Sequence, residues 1–347
     1  MNKWKKPKIL VVGSFMMDLI SSAERLPSMG ETVIGTEFKT APGGKGANQA
    51  VQCARLGADV TMVGCVGEDA FGHEMRKATS AAGVDVTHVS IGRSHASGVG
   101  NVQLQVAGGT VQNRILVVPG ANYDLLPSGL SWLEQQIAQY DMVLLQLEIP
   151  METTTYVAKI AKRAGVPVML NPAPAAPLDA ELLSNVTYLS PNEHEAALLA
   201  EHPIRTNANG VDWDDLDVVA QRLRSRGVEN LIVTLGDNGS AFFGAEGSYH
   251  CPCIKVDDVK DPTAAGDSFV AAFCTGRAAG FAVQQALQFA SYTAARTVCA
   301  MGAMPSLPTL AEVRSFMRER DSADFDISLL DVLAKKRSAV CHAEAGK

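Results

Sequence analysis

The stretch best equipped for chemistry is Asp261-Pro262-Thr263-Ala264-Ala265-Gly266-Asp267-Ser268-Phe269. Three small residues precede a carboxylate, and the apolar run from Phe269 to Phe273 follows, so the segment predicts a tight loop opening a buried helix at Gly266-Asp267. Backbone N–H groups at such a helix start, with no bulky side chain before them, form a site for phosphate or for charge developing on a phosphoryl group. Asp267 beside that site is badly placed to bind phosphate and well placed to take a proton from an attacking hydroxyl. The plainer alternative is that it only caps the helix.

A second glycine-rich loop lies far upstream, Pro42-Gly43-Gly44-Lys45-Gly46-Ala47-Asn48-Gln49-Ala50. Its spacing is neither GxxxxGK[ST] nor GxGxxG. Gly43, Gly44 and Gly46 allow close backbone approach to a ligand, while Lys45 and Asn48 offer donors to oxygen-rich groups. Together the two stretches resemble the signature motifs of the ribokinase (PfkB) family of carbohydrate kinases. GGKGANQA, NPAPA (Asn171 to Ala175), SPNEHEA (Ser190 to Ala196), LGDNG (Leu235 to Gly239) and AAGDSF occur in family order, between about Lys8 and Met317.

The resemblance implies a role for each loop. Asp267 would be the general base, with the amides of Ala264, Ala265 and Gly266 stabilising the transferring group. Asn192 and Glu195 would organise Mg²⁺ and phosphate, mainly through water; the competing account is a helix start capped by Asn192. Thr234, Gly236 and Asp237 would hold the nucleotide, ATP. Asp261 and Thr263, with Gly302 and Ser306 of the Gly302-Ala303-Met304-Pro305-Ser306 loop, would enclose a monovalent cation such as K⁺. The sugar would meet Asp18, Gly44, Lys45, Asn48, Glu148 and Asp267.

At one position the sequence departs from the family. Ribokinases continue the first strand as Gly-Ser-x-Asn-x-Asp, whereas this chain reads Gly13-Ser14-Phe15-Met16-Met17-Asp18. A thioether is at best a weak acceptor, so Met16 favours a sugar lacking a hydroxyl there, and 2-deoxyribose kinases carry Met at the matching place. One lost buried hydrogen bond is worth roughly 1–3 kcal/mol, about 5- to 150-fold in preference. Two alternatives stand against this: Met16 only packs on the lid, or Asn101 restores a polar contact.

The elements that must position these residues predict an α/β fold, a doubly wound, mostly parallel sheet flanked by helices, with a small β-sheet lid. KILVVG at 8–13 is a continuous apolar strand. Helix is expected from Asn48 to Leu56 and from Gly72 to Ala82, with a strand at Val60–Val66 between them. Later helices are expected at Ser131–Gln139, Thr153–Ala164, Asp179–Asn185, Glu193–Ala200 and Asp215–Arg226, alternating with strands at Met142–Leu147, Pro167–Leu170, Thr187–Ser190 and Asn230–Thr234. Two small-residue helices follow, from Asp267 and over Val283–Ala300. Residues 15–40, with a β-rich piece at Glu31–Ile34, and 97–118, a hairpin turning at Gly108-Gly109, break the alternation, and the resemblance implies that these two insertions form a small sheet acting as a lid. The kinase core then comprises 1–14, 41–96 and 119–318. Residues 319–347 are a tail that reads as mobile apart from a turn or two at Asp326–Leu333.

Composition narrows the partners. Of 347 residues 47% are hydrophobic and 19% charged, which suits a large buried core, and the net charge of −7 disfavours nucleic acid. No apolar run is long enough to span a membrane. The basic start Lys3, Lys5, Lys6, Lys8 leads into too short a run for a signal peptide. Seven cysteines without framework spacing suggest reduced thiols and a cytoplasmic protein, and Cys251-Pro252-Cys253 lacks the second pair that zinc needs. The resemblance also implies a homodimer through the lid. Other readings kept open are a kinase of another sugar or a nucleoside, a non-catalytic sugar or nucleotide sensor, and an oxidoreductase, which the missing GxGxxG weakens.

Overall fold

The computed structural model describes residues 6–107, 110–207, 210–320 and 325–334, and its first strand, β1 (Lys8–Val12), is covered on both faces. Ile9 and Val11 enter one hydrophobic layer, Leu10 and Val12 the other. A strand buried on both sides cannot alternate polar and apolar residues, hence the unbroken KILVV.

The other strands are β2 (Met16–Ala23), β3 (Glu37–Gly43), β4 (Asp59–Gly67), β5 (Asp85–Gly92), β6 (Val99–Ala107), β7 (Thr110–Val118), β8 (Met142–Leu145), β9 (Val168–Leu170), β10 (Tyr188–Leu189), β11 (Thr206–Asn207), β12 (Gly210–Val211), β13 (Asn230–Thr234), β14 (Ser240–Gly244) and β15 (Gly247–Cys251). The helices are α1 (Lys45–Arg55), α2 (Ala70–Ala81), α3 (Leu133–Gln136), α4 (Met151–Arg163), α5 (Ala180–Ser184), α6 (Glu193–Ala200), α7 (Trp213–Ser225), α8 (Ala265–Ala278), α9 (Val283–Thr297), α10 (Leu310–Glu319) and α11 (Asp331–Ala334). The large sheet runs β15-β14-β13-β10-β9-β8-β1-β4-β5, parallel except for β14 and β15. Helices α1, α8 and α9 cover one face; α4, α6 and α7 cover the other.

Strand order reverses between β1 and β8, which lie side by side with Val11 opposite Leu144. The crevice beyond their carboxyl ends is the place where such sheets bind ligands. Directly after β1 the chain crosses through Ser14 and Phe15 into β2 of a second sheet, ordered β3-β2-β6-β7. That small sheet overhangs the crevice from the ends of two core strands.

Several expectations are corrected. Glu31–Ile34 is not a strand; β3 starts at Glu37, and Glu31 instead pairs with Arg25. Helix α1 starts at Lys45 rather than Asn48, because Gly44 at φ 96° turns the chain as N-cap and Gly46 packs where any Cβ would stand 2.4 Å from the Ser14 nitrogen. Helix α8 starts at Ala265. The expected helix 131–139 is α3 followed by a 3₁₀ turn at Ile137–Gln139. Strands β5, β14 and β15 were not anticipated. The lid turn at Gly108-Gly109 and the first lysines lie outside the described residues.

The turns expected at Asp326–Leu333 are present, a 3₁₀ turn at Ile327–Leu330 and α11, and they are packed. Phe325, Leu330, Val332 and Leu333 are buried in the core layer that holds α8 and α9, with Phe325 against Phe281 and Phe289 at ring distances of 6.3 and 6.5 Å. Gly57 is required there, since a Cβ would lie 2.3 Å from the Leu333 carbonyl oxygen.

Candidate active site

Helices α1 and α8 bring their first turns to the crevice, and the two glycine-rich stretches meet. Asp267 stands in the first turn of α8 and is 7% exposed. Its Oδ2 accepts from Asn48 Nδ2 at 3.0 Å, and its Oδ1 from Gln49 Nε2 at 3.0 Å. Ala264, the N-cap, holds φ 62°, a left-handed conformation that costs a non-glycine residue about 1–2 kcal/mol. Nothing lies within 4 Å of the place a Gly266 Cβ would occupy, so the helix start is open.

Of the three expected anion donors, Ala264, Ala265 and Gly266, one is already engaged. The Ala265 N–H is committed to the Pro262 carbonyl at 3.2 Å, and Ser268 N–H closes onto Ala264. The amides of Gly266 and Asp267 are therefore the helix's first donors without a backbone acceptor.

Glu148 follows β8 and accepts from the Ser14 hydroxyl and from the Lys45 amide, the latter at 3.0 Å. Burial raises its pKa above the carboxylate norm, against the pull of the Lys45 ammonium and these hydrogen bonds. For Lys45, burial opposes the charge, but Asp267, Glu148 and Glu195 outweigh it and raise its pKa. Asp18 is pushed up to about 6 by burial first, then by Glu148 and Asp267. A Cβ at Gly100 would stand 2.6 Å from Asp18 Oδ1, and one at Gly43 3.1 Å from Oδ2, so these glycines make room for the carboxylate. Asn48 Oδ1 is buried without a hydrogen-bond partner. This group can hold a polyol and deprotonate one hydroxyl.

Met16 and Asp18 share one face of β2. Met16 is buried, its sulfur 3.7 Å from Asn122 Nδ2. Asn101 is not brought to this group: in the parallel β2–β6 pair Asp18 lies opposite Gly100 and Leu19 opposite Asn101, which puts Asn101 on the sheet's other face.

Asn192 and Glu195 form a reciprocal capping box at the start of α6, Glu195 N to Asn192 Oδ1 at 2.8 Å and Asn192 N to Glu195 Oε2 at 2.9 Å. The capping account thus holds, and Glu195 keeps its other oxygen; burial raises its pKa. Thr234 bridges Asn192. Gly236 takes φ 54° in the turn that carries Asp237, whose carbonyl accepts from Lys255 Nζ at 3.2 Å.

Asp261 ties two loops, its Oδ1 accepting from Thr263 N at 2.9 Å and Oδ2 from Gly302 N at 2.8 Å. Buried Ser306 donates its hydroxyl to Ala303 O at 2.8 Å, which leaves the oxygen's lone pairs free. An anion, a hydroxyl oxygen and loop carbonyls suit a monovalent cation. Among the described residues no three His, Cys, Asp or Glu side chains gather as a metal cage. A Mg²⁺ ion here would be held through water and substrate phosphates, with Glu195 as the protein carboxylate.

The family pattern of the pfkB carbohydrate kinases matches residues 6–310. The chain belongs to that family. A Bacillus subtilis ribokinase is 39% identical over 315 residues, 89% of this chain and 99% of the relative. A Salmonella typhi deoxyribokinase is 32% identical over 310 residues, 89% and 98% of the two chains. The Arabidopsis thaliana ribokinase complexed with ribose and ATP superposes with a TM-score of 0.83 at 34% identity, covering 90% of this chain and 99% of that one. The chain is thus a carbohydrate kinase with the ribokinase-like α/β fold and a separate small antiparallel-edged sheet. No helix among the described residues is long and apolar enough to cross a membrane.

Sequence reasoning missed Ser14, Gln49, Asn122, Gln146 and Asn171 as members of the site. Gln146 carried a signal, the lone uncharged polar residue in Met142–Ile149, and Gln49 and Asn171 lie inside quoted motifs without a role.

Proposed function

We propose that this carbohydrate kinase transfers the γ-phosphoryl group of ATP to the 5-hydroxyl of a free pentose, with 2-deoxy-D-ribose preferred over D-ribose. The observation that carries the reading is the meeting of Asp267 with Asn48, beside Lys45, Glu148 and Asp18, at an open helix start. Asp267 takes the hydroxyl proton as that oxygen attacks; the Gly266 and Asp267 amides stabilise the charge on the transferring group. Lys45 stays protonated and balances the carboxylates. Asp18, Glu148 and Asn48 orient the sugar. Asn192, Glu195, Thr234, Gly236 and Asp237 serve the nucleotide, and Mg²⁺ when bound supplies charge neutralisation on the phosphates. A K⁺ ion at Asp261, Thr263, Gly302 and Ser306 would steady the loop before α8. Activity in K⁺ equal to that in tetramethylammonium would remove this cation site.

The deoxyribose preference is supported by what surrounds Met16. Asn122 stands behind it, but its two amide protons go to the Phe15 and Pro119 carbonyls at 2.8 Å each, so it has none for a sugar hydroxyl. Asn101 faces the other way. Neither Asn122 nor Asn101 supplies the donor that Met16 lacks. The ribokinase and deoxyribokinase relatives are compatible with either pentose.

The test is ADP release with MgATP and K⁺ for D-ribose, 2-deoxy-D-ribose, a nucleoside and fructose 6-phosphate. A higher kcat/KM for deoxyribose, reversed by Met16→Asn, is the expected result. A ribose preference in the unmodified protein overturns the Met16 argument, and turnover with neither pentose overturns the acceptor class.

The lid also supports a homodimer. Leu116 on β7 and Phe38 on β3, 66% and 64% exposed, lie on one face of the small sheet by register with Leu19 and Ser21, an apolar surface suited to a second lid. Sedimentation of Leu116→Asp against the unmodified chain tests it, a monomer being expected from the variant.

A further inference from the structure

Behind Asp267 lies a chain of side-chain amides that no step above uses. Gln49 is fully buried. Its Nε2 gives one proton to Asp267 Oδ1 at 3.0 Å and the other to Asn171 Oδ1 at 3.2 Å. Its Oε1 accepts from Gln146 Nε2 at 2.6 Å. Asn171 in turn donates to the Ser190 carbonyl at 2.9 Å. The direction of every amide follows from the ends. A carboxylate and a carbonyl can only accept, so Gln49 must present N–H to Asp267, Asn171 must present N–H to Ser190, and Gln146 must present N–H to Gln49. Gln146 fits because residue 13 is glycine; a Cβ there would stand 2.0 Å from Gln146 Oε1.

We propose that Gln49, oriented by Gln146, is a positioning residue that fixes the Asp267 carboxylate in place for its role as base. Gln146 follows β8 and Asn171 follows β9, so the network ties the first turn of α8 to the carboxyl edge of the sheet. Both amide protons of Gln49 are used, so it offers no donor to substrate. Asn48 and Gln49 hold one carboxylate oxygen each, so loss of the Gln49 amide frees Oδ1 and lets the carboxylate turn.

The inference rests on Asp267 being the base, and the variants separate the two claims. Gln49→Met keeps the length and removes the amide. It is expected to lower kcat about tenfold with the sugar KM within about twofold. Gln49→Glu, which sets a like charge against Asp267, is expected to lower kcat further. Gln146→Met, one bond removed, lowers it by less and serves if position 49 tolerates no change. A merely structural role would lower the thermal midpoint and leave kcat well below that midpoint unchanged, and that result overturns the proposal. Asp267→Asn with undiminished turnover overturns the base assignment instead; an inactive Asp267→Asn with an unchanged kcat in both glutamine variants overturns the positioning role alone.

Discussion

Asn48 Nδ2 donates to Asp267 Oδ2 at 3.0 Å across 219 positions of sequence, so α1 and α8 are joined at this carboxylate, whose other oxygen accepts from Gln49. Asp267→Asn should lower kcat on the order of 10²–10⁴ with the fold retained by circular dichroism. Asn48→Ala should lower kcat/KM by about 10- to 100-fold and affect both terms, because it removes a donor to the base and an unpartnered buried acceptor together. A coupled ADP assay measures both.

Asp18 is held well above the usual carboxylate range. Its pKa rises from 3.8 to about 6 through burial and then through Glu148 and Asp267. The folded value exceeds the unfolded one, so the protonated group's contribution to stability is fully present below 3.8. That contribution, at most about 2 kcal/mol given partial contact with water, is lost as pH rises through 6. Sugar hydroxyls donate best to the ionised form, so the sugar KM should climb below about pH 6. Asp18→Asn should raise KM and flatten that dependence; a KM as pH-dependent in the variant would assign the titration to another group.

Arg55, at the end of α1, donates to the Met304 and Leu307 carbonyls at 2.9 and 2.5 Å, holding the loop that carries Ser306. Arg55→Met should raise the K⁺ concentration for half-activation several-fold, about the effect of losing one charged hydrogen bond, with kcat at saturating K⁺ nearly unchanged. A K⁺ titration of activity reads both quantities.

Leu330 is fully buried between the tail and the core. Leu330→Ala should lower stability by about 2–5 kcal/mol and Phe325→Ala by about 3–5 kcal/mol. Urea unfolding of each variant would show a lower midpoint with an unchanged slope.

Much of the fold was legible because its signals are local. Unbroken apolar runs such as KILVV mark strands covered on both faces, and α6 and β13 begin and end where caps and periodicity put them. Glu31–Ile34 misled because β-propensity measures fit to a half-buried surface, and that segment has none. The turns at Asp326–Leu333 were legible but their packing was not, because Phe325 is held by rings of α9 and the preceding Phe281 loop, which a local pattern cannot reveal.

By itself the sequence determined the family, the order of its motifs and the residue types at the site, since glycines, amides and carboxylates at those spacings suit few chemistries. Only the tertiary structure decided which amide holds which carboxylate oxygen, that Ala265 is already engaged, and that Asn101 turns away from Asp18. Those outcomes depend on register and on contacts between segments hundreds of residues apart, where one residue of strand register reverses a side chain's face.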